Sequence, residues 1–190
     1  MQFSLIACTA QNGLWKSVRH SWREQCEDFE EDGDSYAQAG MSVLAPLAEE
    51  PLRRAKVYVL CDEAGTPHCI FQANSTFLPH FTGRVLRIRH MILSPDYDYG
   101  SKSVEEYAQI LTEAFSQACD LAIKELPSAH VKFHFRTPAD LEFFRRARPS
   151  LAKEPAFTSV DMHGAWLSLS LATPPANDQK ASIREDMSHA

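Results

Sequence analysis

Two kinds of hydrophobic pattern succeed one another along the chain, and their order defines its elements. FSLIACT (3–9) is a short apolar run suited to a strand. From there Leu14, Trp15, Val18, Trp22, Cys26 and Phe29 recur at spacings of three and four, with Arg, Glu and Gln between them. That period predicts a helix with one buried face, ended by the acidic stretch EDFEEDGDS (27–35). A second helix is expected over 36–48, and Pro51 stops whatever precedes it. Two β-rich runs, 56–61 and 68–78, flank turn-forming Asp, Gly and Pro and read as a hairpin; RVLRIRHMIL (84–93) is a third strand. Over 104–126 Tyr107, Ile110, Leu111, Ala114, Ala118, Leu121, Ala122 and Leu126 form one broad apolar face, closed by Pro127. HVKFHF (130–135) predicts a strand, Pro138 a helix running to about Arg148 and ended by Pro149, and 156–162 with 165–171 a pair of strands around His163-Gly164. The polar, aperiodic stretch 172–190 is expected to be a disordered tail.

The predicted order is therefore β-α-α-β-β-β-α-β-α-β-β, with no internal repeat. It implies a single α/β (α+β) domain over 1–171 with a mixed sheet. The composition narrows its business. With 190 residues, 44% hydrophobic and 23% charged, the chain suits one ordinary globular domain. A net charge of −6 disfavours nucleic acid or an anionic membrane as the main partner. No stretch approaches the roughly 18 apolar residues of a membrane helix. Leu5-Ile6-Ala7-Cys8 superficially resembles a lipoprotein cleavage site, but it lacks a basic region before it and a long enough apolar run. Five cysteines (Cys8, Cys26, Cys61, Cys69, Cys119), odd in number and never in CxxC spacing, predict buried thiols rather than disulfides or a zinc site. A cytoplasmic protein is the resulting expectation.

The junction SPDYDYGSKS (94–103) lies between the third strand and the longest helix. The first amides of a helix lack internal partners, so such a junction is a natural anion site. Leu93-Ser94-Pro95 at the strand exit, residues 98–103 in the loop and the element order together resemble the GCN5-related N-acetyltransferase (GNAT) superfamily over roughly residues 3–171. The resemblance implies a mixed, largely antiparallel sheet of about seven strands flanked by about four helices. It also implies acyl transfer from acetyl-CoA or another acyl-CoA to an amine, by direct attack on the thioester. The family writes its loop loosely as R/Q-x-x-G-x-G/A. Here Asp98 stands at the Arg/Gln position, and Ser101 and Ser103 at the small-residue positions. The loop residues implied to hold the cofactor are Tyr99, Gly100, Ser101, Lys102 and Ser103, with backbone of Met91 or Leu93 meeting the thioester oxygen and the pantetheine arm. The family's Phe-Tyr step in the late helix reads Phe143-Phe144 here, so the phenol that commonly protonates the leaving thiolate is missing.

Acyl transfer to an amine needs a base, an oxyanion donor and an acid. His90 is the preferred side chain for the base, because an unperturbed imidazole titrates near neutrality, its alternative being a packed histidine bonded to a backbone carbonyl; His134 is the second candidate. Strand alternation puts Leu86, Ile88, His90 and Ile92 on one face and Arg87, Arg89 and Met91 on the other. Arg87 and Arg89 are candidates for binding an acidic substrate or an acyl-carrier phosphate. The bland alternative pairs them with acids such as Asp62 or Glu63 on a solvated face. Trp22 is a candidate for the acceptor wall, its alternative being plain core. No metal site is expected. The acceptor is expected to be a small-molecule or protein amine meeting residues 10–50 and the final strands, and the chain is compatible with a homodimer. Two other readings stand beside the enzyme: a GNAT-like binding or regulatory domain that has lost catalysis, and a relative of the acyl-homoserine-lactone synthases, which share the fold. For the latter, the Glu-x-Ser-Arg-like strand is replaced by RIRH (87–90).

Overall fold

The computed structural model describes residues 2–100 and 102–175; Ser101 and nearly all of the expected tail, 176–190, lie outside them. Seven strands and five helices follow in the order β1 (Phe3–Ala7), α1 (Leu14–Asp28), α2 (Gln38–Glu49), β2 (Ala55–Asp62), β3 (Pro67–Phe77), β4 (Arg84–Leu93), α3 (Pro95–Asp98), α4 (Val104–Lys124), β5 (His130–His134), α5 (Pro138–Leu151), β6 (Phe157–His163) and β7 (Trp166–Leu171). The sheet order is β1-β2-β3-β4-β5-β7-β6. The β1–β2, β5–β7 and β6–β7 pairs are antiparallel, and β4–β5 is parallel. This is the mixed, largely antiparallel seven-stranded sheet with flanking helices that the resemblance implied. Two boundaries differ from expectation. The stretch after Pro95 forms a one-turn helix, which adds a fifth, and α5 runs on to Leu151 through Pro149. Pro149 lies in the last turn, where one lost amide bond is tolerated, and the Ala152 N–H still reaches Arg148 O.

The chain divides into two compact units, one holding residues up to Gln72 with His90–Ser116, the other Ala73–Arg89 with the chain from Gln117 onward. In the first, the amphipathic stripe of α1 does what its spacing predicts. Trp15, Val18 and Trp22 are buried in one cluster with Leu44 and Ala48 of α2 and Val57, Val59, Cys61 and Ile70 of the hairpin. The β1–α1 turn is closed by Asn12, whose Oδ1 accepts from the Thr9 and Leu14 N–H groups and whose Nδ2 donates to Ala7 O at 2.8 Å. Asp62 organises the β2–β3 turn, its Oδ1 accepting from Ala64 and Thr66 N–H, with Gly65 at φ 84°.

In the second unit, Leu86 and Ile88 of β4, Val131 and Phe133 of β5 and Leu167 and Leu169 of β7 are buried on one face. Helix α5 is capped by Thr137, whose Oγ1 accepts from Asp140 N–H, and its Phe144 is almost fully buried. The Phe144 ring stacks on Phe135 at 4.6 Å and on Phe133 at 6.3 Å. The position where a phenol would have stood is therefore a core aromatic.

Candidate functional site

Strand β4 carries the first departure from regular structure. His90 has φ 52°, a left-handed conformation that costs a side-chain-bearing residue on the order of 1–2 kcal/mol. The expected alternation ends there: Arg89 and His90 are both half-buried, and Met91, Ile92 and Leu93 are all buried. The assignment of His90 to one face with Ile88 and Ile92 is corrected accordingly, since a residue in this conformation re-aims the side chains that follow it.

After β4 the chain turns through α3 into the loop. Tyr97 N–H returns to Ser94 O and Tyr99 N–H to Pro95 O, while Gly100 sits at φ 90°, where a side chain would be strained. Asp98 is exposed, but its carboxylate has a partner. Its Oδ2 lies 2.6 Å from the Tyr36 hydroxyl, which is also 2.9 Å from Leu93 O. Burial first, then the Asp98 carboxylate, drives the Tyr36 phenol well above its ordinary pKa, so it stays a donor. Tyr36 thereby ties the loop acid and the end of β4 to the α1–α2 connection. Tyr99 joins the same region through its ring, 5.4 Å from Phe29 and 5.8 Å from Tyr36.

The start of α4 is self-capped. Ser103 Oγ accepts from Glu106 N–H at 3.2 Å, and Glu106 Oε2 accepts from Ser103 N–H at 2.9 Å, a reciprocal capping box. Lys102 Nζ lies 3.6 Å from Glu106 Oε1. The Ser103 amide in particular holds the Glu106 carboxyl below its ordinary pKa, so a negative charge sits at this helix start. Lys102 and Ser103, both expected to meet a pyrophosphate, are engaged by one carboxylate. Glu106 is largely exposed, so a ligand could displace it by breaking only the cap and a weak ion pair.

A buried polar chain anchors the same segment from the hairpin side. Asp62 Oδ2 lies 3.1 Å from His68 Nε2, and the Tyr97 hydroxyl lies 3.2 Å from His68 Nδ1. Because a carboxylate can only accept, Nε2 donates to Asp62, and Nδ1 is the nitrogen that meets the Tyr97 hydroxyl. Burial raises the Tyr97 phenol to about 12. Burial also opposes ionisation of Asp62, but the His68 bond and the Thr66 and Ala64 amides outweigh it and lower its pKa. Asp62 is thus committed to His68, which corrects its expected pairing with Arg87 or Arg89.

A cavity of about 460 Å³ opens beside α1 and α2, lined by Trp15, Arg19, Trp22, Asp34, Tyr36 and Met41 among others. Trp22 borders it but is buried, its Nε1 donating to Pro67 O at 3.0 Å, so core packing fixes its position. Arg23 and Asp34 form an ion pair at the rim. The first unit therefore collects His90, Met91, Leu93, Tyr99, Gly100, Lys102, Ser103 and Trp22. Arg87, Arg89 and His134 belong to the second unit, where Arg87 Nε donates to Asn74 Oδ1. His134 is held below its ordinary pKa by burial, then by Arg89 and Arg136. Sequence reading missed Tyr36, His68 and Glu106. Only Glu106 had a local signal, the Ser-x-x-Glu spacing at 103–106.

No helix among the described residues is long and apolar enough to cross a membrane, and no group of metal-ligating side chains occurs among them. No protein-family model and no curated protein matches the chain. Among solved structures, it is similar to a spermidine N-acetyltransferase from Vibrio cholerae in complex with CoA and spermine, at 13% identity over 89% of this chain and 92% of that one, TM-score 0.46. It is similar to a GNAT family acetyltransferase of Staphylococcus aureus at 8% identity over 72% and 89%, TM-score 0.39. A third is a GCN5-related glucosamine N-acetyltransferase region in a fungal multi-domain β-N-acetylglucosaminidase, at 14% identity over 85% of this chain, TM-score 0.44; the match spans 17% of that longer chain. All three are acetyltransferases, and all are distant from this chain in sequence.

Proposed function

We propose that the chain is an acyl-CoA-dependent N-acyltransferase in which an amine attacks the thioester directly, without a covalent enzyme intermediate. The observation that supports this reading is the left-handed His90 within β4. Strain held at a non-glycine residue inside a strand persists where the surroundings over-determine it, and functional sites are where it concentrates. Beyond His90, the Met91 and Leu93 amides are the candidates to donate to the tetrahedral oxygen, a role that any side chain permits. His90 is the candidate base, taking a proton from the amine as the C–N bond forms and the C–S bond breaks. The cavity beside α1 and α2 has the size of a small-molecule site, which favours a small amine over a protein acceptor.

A second reading has its own observation. With Ser103 N–H and Lys102 engaged by Glu106, and Asp98 bound to Tyr36, the loop holds carboxylates where the family places pyrophosphate. That favours a GNAT-like binding or regulatory domain that has lost catalysis together with its acyl-CoA site. Isothermal titration with acetyl-CoA separates the two. Saturable binding supports the enzyme, and no heat at millimolar ligand overturns it. An Asp98→Arg variant that gains affinity would identify the loop as a worn phosphate site.

A further inference from the structure

Among the described residues, the sheet face of the second unit that turns away from Phe144 is rich in cations, and the acid that the strand register places on it, Asp161, lies on the outermost strand, β6. Alternation along β4 buries Leu86 and Ile88 and sends Arg87 and Arg89 to the opposite face. The parallel register sets Arg87 beside Lys132, so Lys132 and His134 share that face, and the β5–β7 register adds Ser168 and Trp166. Among the described residues, no carboxylate lies within ion-pair distance of Arg87, Arg89, Lys132 or Arg136. The acid on neighbouring β6, Asp161, is turned to Arg148 at 3.8 Å. Arg89 Nε is shielded from solvent and has no partner among the described residues. Lys132 Nζ lies 5.0 Å from the Trp166 ring centre, and the His134 ring is 4.6 Å from the same indole. Burial and then Arg89 lower the pKa of Arg87, which marks the two guanidiniums as half-buried like charges. Such a pair is costly to fold unless something supplies the missing negative charge.

We propose that this face binds a small oxyanion-bearing molecule, a carboxylate or a phosphate, between the Arg87 and Arg89 guanidiniums, with Lys132 and Arg136 flanking it and Trp166 as its apolar wall. Guanidinium presents paired N–H donors that match either oxyanion in a fork. Asn74 is a positioning residue, since its Oδ1 fixes Arg87 Nε and leaves the terminal nitrogens for the ligand. A small anion suits the site better than a polyanion, because the chain as a whole carries −6. The inference does not depend on acyl transfer, because binding is read without acyl-CoA.

The test titrates inorganic phosphate and, separately, succinate into the full chain at constant ionic strength, with sodium chloride as the balance. Melting temperature and the His134 ring signals are followed by calorimetry and by NMR. The expected result is a saturable rise in melting temperature and a rise in the His134 pKa, because the bound anion offsets Arg89 and Arg136. Response to succinate alone assigns a carboxylate ligand, and response to phosphate alone a phosphate. Arg87→Gln and Arg89→Gln should each weaken binding roughly tenfold or more, the loss of one charge-assisted hydrogen bond. Arg145→Gln, exposed on α5 and paired to Glu142, should leave it unchanged. Binding equal in all three variants would mean an adventitious ion only and would overturn the proposal. So would an unresponsive His134 in the wild-type chain, a readout that survives even if a variant fails to fold. A dimer that Arg89→Gln splits, with no anion effect, would assign the face to a second copy instead.

Discussion

Asp98 and Asp62, 36 residues apart, show how one residue type takes different duties. Asp98 shares the single proton of Tyr36 with Leu93 O. Tyr36→Phe removes a donor that two acceptors face, and should cost about 1–3 kcal/mol in urea unfolding. It should also loosen the loop, seen as faster hydrogen exchange at Tyr97 and Tyr99. Asp62 has a depressed pKa, so its stabilisation is present above the unfolded value of about 3.9 and is lost as pH falls through the lower folded value. Asp62→Asn should therefore lower stability near neutrality and flatten the acid limb of a stability-versus-pH curve. A variant with an unchanged acid limb would remove Asp62 from that account. His134, also depressed, works in the same direction: the folded chain resists its protonation, so stability falls as pH drops below about 6.5. Arg89→Gln should shrink that loss. At this scale the sequence supplied the residue types but not their partners. Nothing local links Tyr36 to Asp98, because their encounter depends on how the α1–α2 connection and the end of β4 meet.

At the level of elements, the capping box and the strained strand separate stability from chemistry. Ser103→Ala should cost about 1 kcal/mol of stability through the lost cap of α4. Alanine keeps the backbone N–H that Glu106 accepts, so if the acyltransferase reading holds it is Glu106→Gln, which removes the carboxylate charge, that should raise acetyl-CoA affinity measured by calorimetry. His90→Gly is the cleaner probe of β4. Glycine accepts φ 52° without steric penalty, so the fold should survive with its melting temperature little altered. Loss of a general base should then lower the acetylation rate by roughly 10²–10⁴. An unchanged rate would acquit His90. Strand and helix positions were legible because each period matches a face: the α1 stripe and the two-faced β2 run landed within a residue or two of expectation. The left-handed turn at His90 was not, since RVLRIRHMIL alternates well enough to read as a regular strand and no glycine marks the break.

For the molecule as a whole, the thiols give a direct check. Cys8, Cys26, Cys61 and Cys69 are buried, and burial raises Cys8 and Cys119 to about 12 and Cys61 to about 11. The native protein should react slowly with a thiol reagent at neutral pH, and all five cysteines should react promptly in guanidinium. Rapid native labelling of more than one thiol would contradict this packing. The sequence by itself determined the element order, the mixed sheet, the buried thiols and the place of the loop between β4 and α4, because hydrophobic period and turn chemistry are local and each element carries its own. Only the tertiary structure decided that Asp98 binds Tyr36, that Glu106 closes the start of α4, that Asp62 serves His68, and that Arg87 and Arg89 have no acid partner among the described residues. Each of those outcomes depends on which charged groups the folded chain brings within a few ångströms, and charge pairing across distant elements leaves no trace in their spacing.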